Sequence, residues 1–194
     1  MRPEIKVCGV NDPAFAAFAA RAGVDYLGFI FEPSSPRAVT AEMAVLLAKE
    51  ARRGGDASLV GVFVRQSVAE IIDTMNRVGL DVVQLHRRAK GDEVAALKAA
   101  GFEVWTLAGG APGDGVLFDS SHGDGDAAFV RGPYKAILAG GIGESNIADA
   151  IALSPNVIDV NSSLETSPGV KSIARLKSFL ASIPSSDRNA VLYE

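Results

Sequence analysis

Short apolar runs recur along this chain, and between most of them lies a longer stretch whose apolar positions return with helical spacing. The first run, Ile5-Lys6-Val7-Cys8-Gly9, stops at a cysteine and a glycine. Asn11-Asp12-Pro13 then offers a cap and a first-turn proline for an alanine-rich helix over residues 14–22, which Gly23 closes. Residues 26–31 form a second strand, and their unbroken apolarity suits burial on both faces of a parallel sheet. Residues 32–37 hold two prolines and read as a loop; a helix follows, with Thr40 ahead of residues 43–49, and ends at Gly54-Gly55.

The same unit repeats. Residues 59–64 predict a third strand, and Ser67 caps a helix carrying Ile71, Ile72 and Met75 before Gly79. Residues 82–85 predict a fourth strand that ends at His86, followed by a helix over 92–100. The fifth strand, 102–107, is separated from the sixth, 116–119, by a glycine-rich segment too short for a full helix. Beyond it, residues 120–126 read as a polar loop and residues 127–131 as a short helix. Residues 134–139 predict strand seven, Gly140-Gly141 a tight loop, and 145–153 a helix; residues 157–160 predict strand eight. A polar loop over 161–169, a last helix over 172–183 and a loosely held tail over 184–194 complete the chain.

Eight strands that mostly alternate with helices predict a parallel sheet with helical crossovers, and eight is the number that closes. The expected fold is a (β/α)8 TIM barrel, one domain over residues 1–194, with reduced helical units around strands five and six. An open doubly wound sheet is second, because its glycine fingerprint normally follows strand one, where only Cys8-Gly9 stands.

Composition narrows the function. Hydrophobic residues at 48%, charged residues at 22% and twenty glycines describe an ordinary α/β protein of 194 residues. A formal net charge of −4 gives no overall basic field, so neither nucleic acid nor an anionic membrane surface is an expected partner. The longest apolar runs are strand-sized and residues 1–4 lack a signal-peptide core, which makes the cytoplasm the expected location. One cysteine makes no internal disulfide, and His86 and His122 have no zinc spacing, so no metal is expected.

In a barrel, residues just past the strand C-termini share one rim. That selects Cys8, Arg37, His86, Asp119, Gly140, Gly141, Asn161, Ser162 and Ser163. Gly140-Gly141 lets backbone N–H groups approach an oxyanion, and the loops after strands seven and eight are the usual phosphate site of such barrels; the plainer reading is a tight turn. Cys8 is either a general base, given a nearby cation, or a small buried hydrophobe. Asp119 is either a general acid or a turn residue, and Arg37 either a carboxylate fork or a surface arginine. His86 bonds to substrate or satisfies a rim backbone group. Asp159, inside strand eight, holds rim residues in place, and Trp105 and Phe29 belong to the core.

Taken in order, several segments resemble the phosphoribosylanthranilate isomerase family: Lys6-Val7-Cys8-Gly9, Leu27-Gly28-Phe29-Ile30-Phe31 with Ser35-Pro36-Arg37, Gly61-Val62-Phe63-Val64, Asp81-Val82-Val83-Gln84-Leu85-His86, Leu138-Ala139-Gly140-Gly141-Ile142, and Ile158-Asp159-Val160 through Glu165 to Ser167-Pro168-Gly169-Val170-Lys171. The resemblance implies a cofactor-free Amadori rearrangement of N-(5-phosphoribosyl)anthranilate in tryptophan biosynthesis, by a monomer or homodimer whose partner is a small phosphorylated substrate. It implies Cys8 as base, Asp119 as acid, Arg37 on the anthranilate carboxylate, and Gly140, Gly141, Ser162 and Ser163 around the phosphate. Departures cluster in loops: Arg87-Arg88-Ala89-Lys90 after strand four, His122-Gly123-Asp124-Gly125-Asp126 after strand six, and Asn161-Ser162-Ser163 where the family has Ser-Ser-Gly. Thr106 also stands where lysine is common. The alternative is a barrel paralogue that binds another phosphorylated ligand without catalysis.

Overall fold

The computed structural model describes residues 2–120 and 129–184. Eight parallel strands pair in sequence order and close, β8 bonding back to β1. They are β1 (Glu4–Cys8), β2 (Tyr26–Ile30), β3 (Ser58–Phe63), β4 (Val82–Leu85), β5 (Glu103–Leu107), β6 (Gly115–Asp119), β7 (Lys135–Ala139) and β8 (Val157–Val160). Helices α1 (Pro13–Arg21), α2 (Ala41–Gly54), α3 (Val68–Val78), α4 (Gly91–Ala99), α5 (Ile147–Ala152) and α6 (Ile173–Ser182) are the α-helices of the described residues. The expected (β/α)8 barrel is the architecture found.

Strand alternation sorts the core into two layers. On β1, Ile5 and Val7 face outward into the large cluster shared with the helices, which also takes in Phe29, Phe63 and Leu85. Lys6 and Cys8 take the other face, toward an interior filled by Tyr26, Val60, Val82, Trp105, Leu117 and Ile137. Trp105 lies edge-on to Tyr26 with ring centres 4.8 Å apart, so it is core as expected.

Local chemistry explains the helix ends. The Asp12 carboxylate accepts from the Phe15 N–H with Pro13 in the first turn, and Thr40 and Ser67 cap α2 and α3 in the same way. The β5–β6 connection is a turn without a helix, as expected; Thr106 Oγ1 accepts from the Gly113 N–H at 3.2 Å and braces it. Three expectations need correcting. The helix after β7 starts at Ile147 instead of 145, because Asn146 turns its side chain back onto the preceding loop. Residues 129–131 are not helical; the rest of the expected 127–131 helix lies outside the described residues, as do residues 122–126 and 185–194. The supposed plain loop over 161–169 contains a 3₁₀ turn (Ser162–Leu164) and a small hairpin of β9 (Glu165–Ser167) and β10 (Val170–Lys171).

Candidate functional site

The C-terminal ends of the strands ring one cavity of about 440 Å³, in the range of small-ligand sites. Cys8 from β1, Arg37 from the loop after β2, His86 after β4 and Asp119 at the end of β6 all line it. So do Gly140, Gly141 and Ser162. Of the residues expected at the site, Ser163 alone is absent from the lining.

Ser163 also answers the question raised by its replacing a glycine. Its φ is not positive, because the segment winds into a 3₁₀ turn, so the side chain carries no left-handed strain. Room for it comes from Gly143, where an added Cβ would stand 3.0 Å from Ser163 Cβ. Gly140 and Gly141 do adopt left-handed φ, +96° and +64°, so this loop needs glycine for its conformation. Nothing lies within 4 Å of the position a Gly141 Cβ would take. Asn146 steadies it, accepting from the Gly143 N–H at 2.8 Å and donating to the Gly141 carbonyl at 3.1 Å.

Below the rim, a buried ion pair underlies Cys8. Lys6 is completely buried, and its ammonium lies 2.6 Å from Asp159 Oδ2 across the β1–β8 register. Cys8 is 7% exposed; burial pushes its thiol up from the ordinary value, against the opposing pull of the Lys6 ammonium. Gly28 makes the space on β2: a Cβ there would stand 3.2 Å from Cys8 Sγ and 3.4 Å from Lys6 Cε. Burial likewise raises the Asp159 carboxyl, with Lys6 pulling the other way.

Arg37 reaches the rim over Gly9, whose φ of +69° lets the stem pass; a Cβ on Gly9 would come within 2.6 Å of Arg37 Cδ. The side of its guanidinium is already engaged, Nε and Nη2 donating to Glu165 Oε1 and Oε2 at 2.7 and 2.8 Å. Lys171 donates to the same carboxylate at 2.7 Å and to Asn161 Oδ1 at 2.7 Å. Burial disfavours ionisation of Glu165, yet the hydrogen bonds from Arg37 and Lys171 prevail and draw its carboxyl to about 2. One anion thus ties the β2 loop to the hairpin after β8.

Opposite, His86 Nε2 lies 3.8 Å from Asp119 Oδ2, and His86 Nδ1 lies 3.4 Å from Gln84 Nε2. The other ring nitrogen, Nε2, is the one that faces Asp119. Gln84 Oε1 and Asp159 Oδ1 are buried acceptors without a protein partner, and both residues line the cavity. They are suited to hydroxyl donors on a ligand. Glu32 is a further lining carboxylate, held at about 2 by hydrogen bonds from Arg65 and Ser34.

Sequence reasoning missed Gln84 and Glu32 as lining residues and did not pair Arg37 with Glu165. The available signal was polarity out of place, a glutamine between Val83 and Leu85 in a strand otherwise apolar. The altered segment after β4 stays out of the cavity: Arg87 pairs with Glu93 through two contacts of 2.7 Å, and residues 87–90 are absent from the lining. Thr106 is buried and occupied with its turn. No group of three or more metal-ligating side chains occurs among the described residues, and none of the helices described is long and apolar enough to cross a membrane.

A family profile described as N-(5'phosphoribosyl)anthranilate (PRA) isomerase matches residues 5–182. The N-(5'-phosphoribosyl)anthranilate isomerase of Granulibacter bethesdensis is 33% identical over 208 residues, covering 94% of this chain and 99% of its own. The crystal structure of phosphoribosyl anthranilate isomerase from Thermus thermophilus superposes with a TM-score of 0.80 at 27% identity, covering 93% of this chain and 98% of that one. Another isomerase structure, in complex with reduced 1-(o-carboxyphenylamino)-1-deoxyribulose 5-phosphate, gives a TM-score of 0.75 at 26% identity and covers 91% of this chain and 96% of that one. By ordered motifs, barrel and near full-length similarity, the chain belongs to the N-(5'-phosphoribosyl)anthranilate isomerase family.

Proposed function

We propose that this chain isomerises N-(5'-phosphoribosyl)anthranilate to 1-(2-carboxyphenylamino)-1-deoxyribulose 5-phosphate, the aldose-to-ketose step that the family name implies for tryptophan biosynthesis. The observation that carries the residue roles is the meeting of Cys8, Arg37 and Asp119 around one cavity that also contains the Gly140-Gly141 loop. Asp119 protonates the furanose ring oxygen as the C1–O bond breaks, and the nitrogen lone pair forms the iminium. Cys8, as thiolate, takes the proton from C2; that C–H electron pair becomes the C1=C2 bond and the iminium returns to a neutral amine, giving an enaminol that tautomerises to the ketone. His86 Nε2, 3.8 Å from Asp119 Oδ2, stands beside the acid.

The remaining groups of the substrate find matching chemistry. The phosphate takes the Gly140-Gly141 loop, with Ser162 on the lining and Ser163 behind it, packed on Gly143. The carboxylate meets the Nη1–Nη2 end of Arg37, because the Nε–Nη2 side belongs to Glu165. Ribose hydroxyls meet Gln84 Oε1 and Asp159 Oδ1. None of these steps calls on a cofactor.

Complementation tests the reading. Expression of the chain in a strain that lacks this isomerase restores growth without tryptophan, and Cys8→Ser or Asp119→Asn does not. Failure of the unaltered, folded chain to rescue growth refutes it.

A further inference from the structure

The mechanism leaves the buried ammonium of Lys6 unused. Lys6 is fully buried inside β1, where an ammonium group is expensive to hold, and at that depth a leucine or valine would suit the packing. Lys6 and Cys8 are two residues apart on one strand and share its inward face, so Lys6 lies one layer beneath the thiol. Its ammonium donates to Asp159 Oδ2 at 2.6 Å, and its charge pulls the buried Cys8 thiol toward ionisation. Gly28 keeps the gap between Lys6 Cε and Cys8 Sγ clear from the neighbouring strand.

The charges facing Cys8 come from four elements. Lys6 is on β1, Asp159 on β8, Lys171 on β10 and Arg37 in the loop after β2. Glu165, on β9, pairs with both Arg37 and Lys171. Asp119, at the end of β6, acts on Asp159 and has His86 beside it. Around the sulfur, Lys6 pairs with Asp159, and Arg37 and Lys171 share Glu165.

We propose that Lys6, oriented by Asp159, is the positioning residue that offsets the burial of Cys8 and eases its ionisation to the thiolate. The proposal rests on reading Cys8 as the general base, but its test needs no substrate. Lys6 does not touch the reacting carbon; it acts through the sulfur. Asp159 both aligns the ammonium and, by its own charge, restrains how far the thiolate is favoured.

Because Cys8 is the only cysteine, thiolate absorbance near 240 nm and the rate of alkylation by iodoacetamide each report this one sulfur. Two variants push in opposite directions. Asp159→Asn keeps Lys6 charged and hydrogen-bonded but removes the competing anion, so alkylation near pH 7.5 speeds up and the thiol titrates at lower pH. Lys6→Met with Asp159→Asn removes the ion pair as a neutral unit, and alkylation slows about tenfold or more, the effect of losing an opposite charge at contact distance. Far-UV circular dichroism and a cooperative melt establish folding. Should the double variant not fold, Asp159→Asn alone decides, since a merely structural ion pair gives no acceleration. Opposite shifts support the proposal; rates within about twofold of the unaltered protein, or both shifts in one direction, overturn it. An inactive chain whose thiol still responds in opposite senses would remove the isomerase reading and leave the Lys6 relationship standing.

Discussion

Arg37 and Glu165 are 128 residues apart in sequence, yet their side chains meet in two parallel contacts beside the cavity. The carboxyl of Glu165 falls from an ordinary value of 4.5 to about 2 in the folded chain. A depressed carboxyl contributes stability that is present above its unfolded value and is lost as pH falls through the folded one. Unfolding free energy measured against pH therefore declines between about 4.5 and about 2, and Glu165→Gln flattens part of that decline. The same substitution frees the Nε–Nη2 side of Arg37 and loosens Lys171, so KM for substrate rises more than kcat falls. Gly28→Ala tests the other crowded point: its methyl meets Cys8 Sγ at 3.2 Å, and activity falls at least about tenfold through a misplaced base while the melt moves by only a few degrees. Cys8, Arg37 and Asp119 were legible because each ends a strand or opens a rim loop. The Lys6–Asp159 and Arg37–Glu165 pairings were not, because each forms only when β8 and its hairpin return to β1.

Among the elements, α3 has the most complete start. Ser67 Oγ accepts from the Glu70 N–H while the Glu70 carboxylate accepts from the Ser67 N–H at 2.8 Å. Ser67→Ala removes half of this box, a loss of about 1 kcal/mol. In a domain of this size that lowers Tm by about 2–4 °C, read by calorimetry, with the isomerase rate at 25 °C unchanged. Starts of this kind are written in a few adjacent residues, which is why α1, α2 and α3 were legible. Residues 144–146 show the opposite case: Asn146 looks like a cap, but its amide serves the Gly141–Gly143 loop and the helix begins after it. The hairpin after β8 was hidden for a related reason. β9 and β10 are only three and two residues long, and they are held by Lys171 and by the approach of Gly169 to the Pro36 carbonyl rather than by any apolar alternation.

At the scale of the whole molecule, closure of the sheet turns a list of strand ends into a site. Strand order β1 to β8 brings residues from positions 8, 37, 119 and 140 to one rim, while the bulk of the core lies between barrel and helices. The turn from β5 to β6 carries no helix, and beside it Val116, Phe118 and Ala136 pack with Ala108, Phe129 and Tyr134. The altered loops after β4 and β8 are absorbed without closing the cavity: Arg87 turns to Glu93, and Ser163 takes a 3₁₀ conformation against Gly143. The central claim is that this cavity performs the rearrangement with Cys8 and Asp119 as its proton-transfer pair. The direct measurement is the loss of anthranilate-type fluorescence when the purified chain meets enzymatically generated N-(5'-phosphoribosyl)anthranilate. Steady turnover is expected of the unaltered protein, with a fall of at least about a thousandfold in folded Cys8→Ser and Asp119→Asn. Absence of turnover in the folded protein, or undiminished turnover in either variant, would contradict that claim.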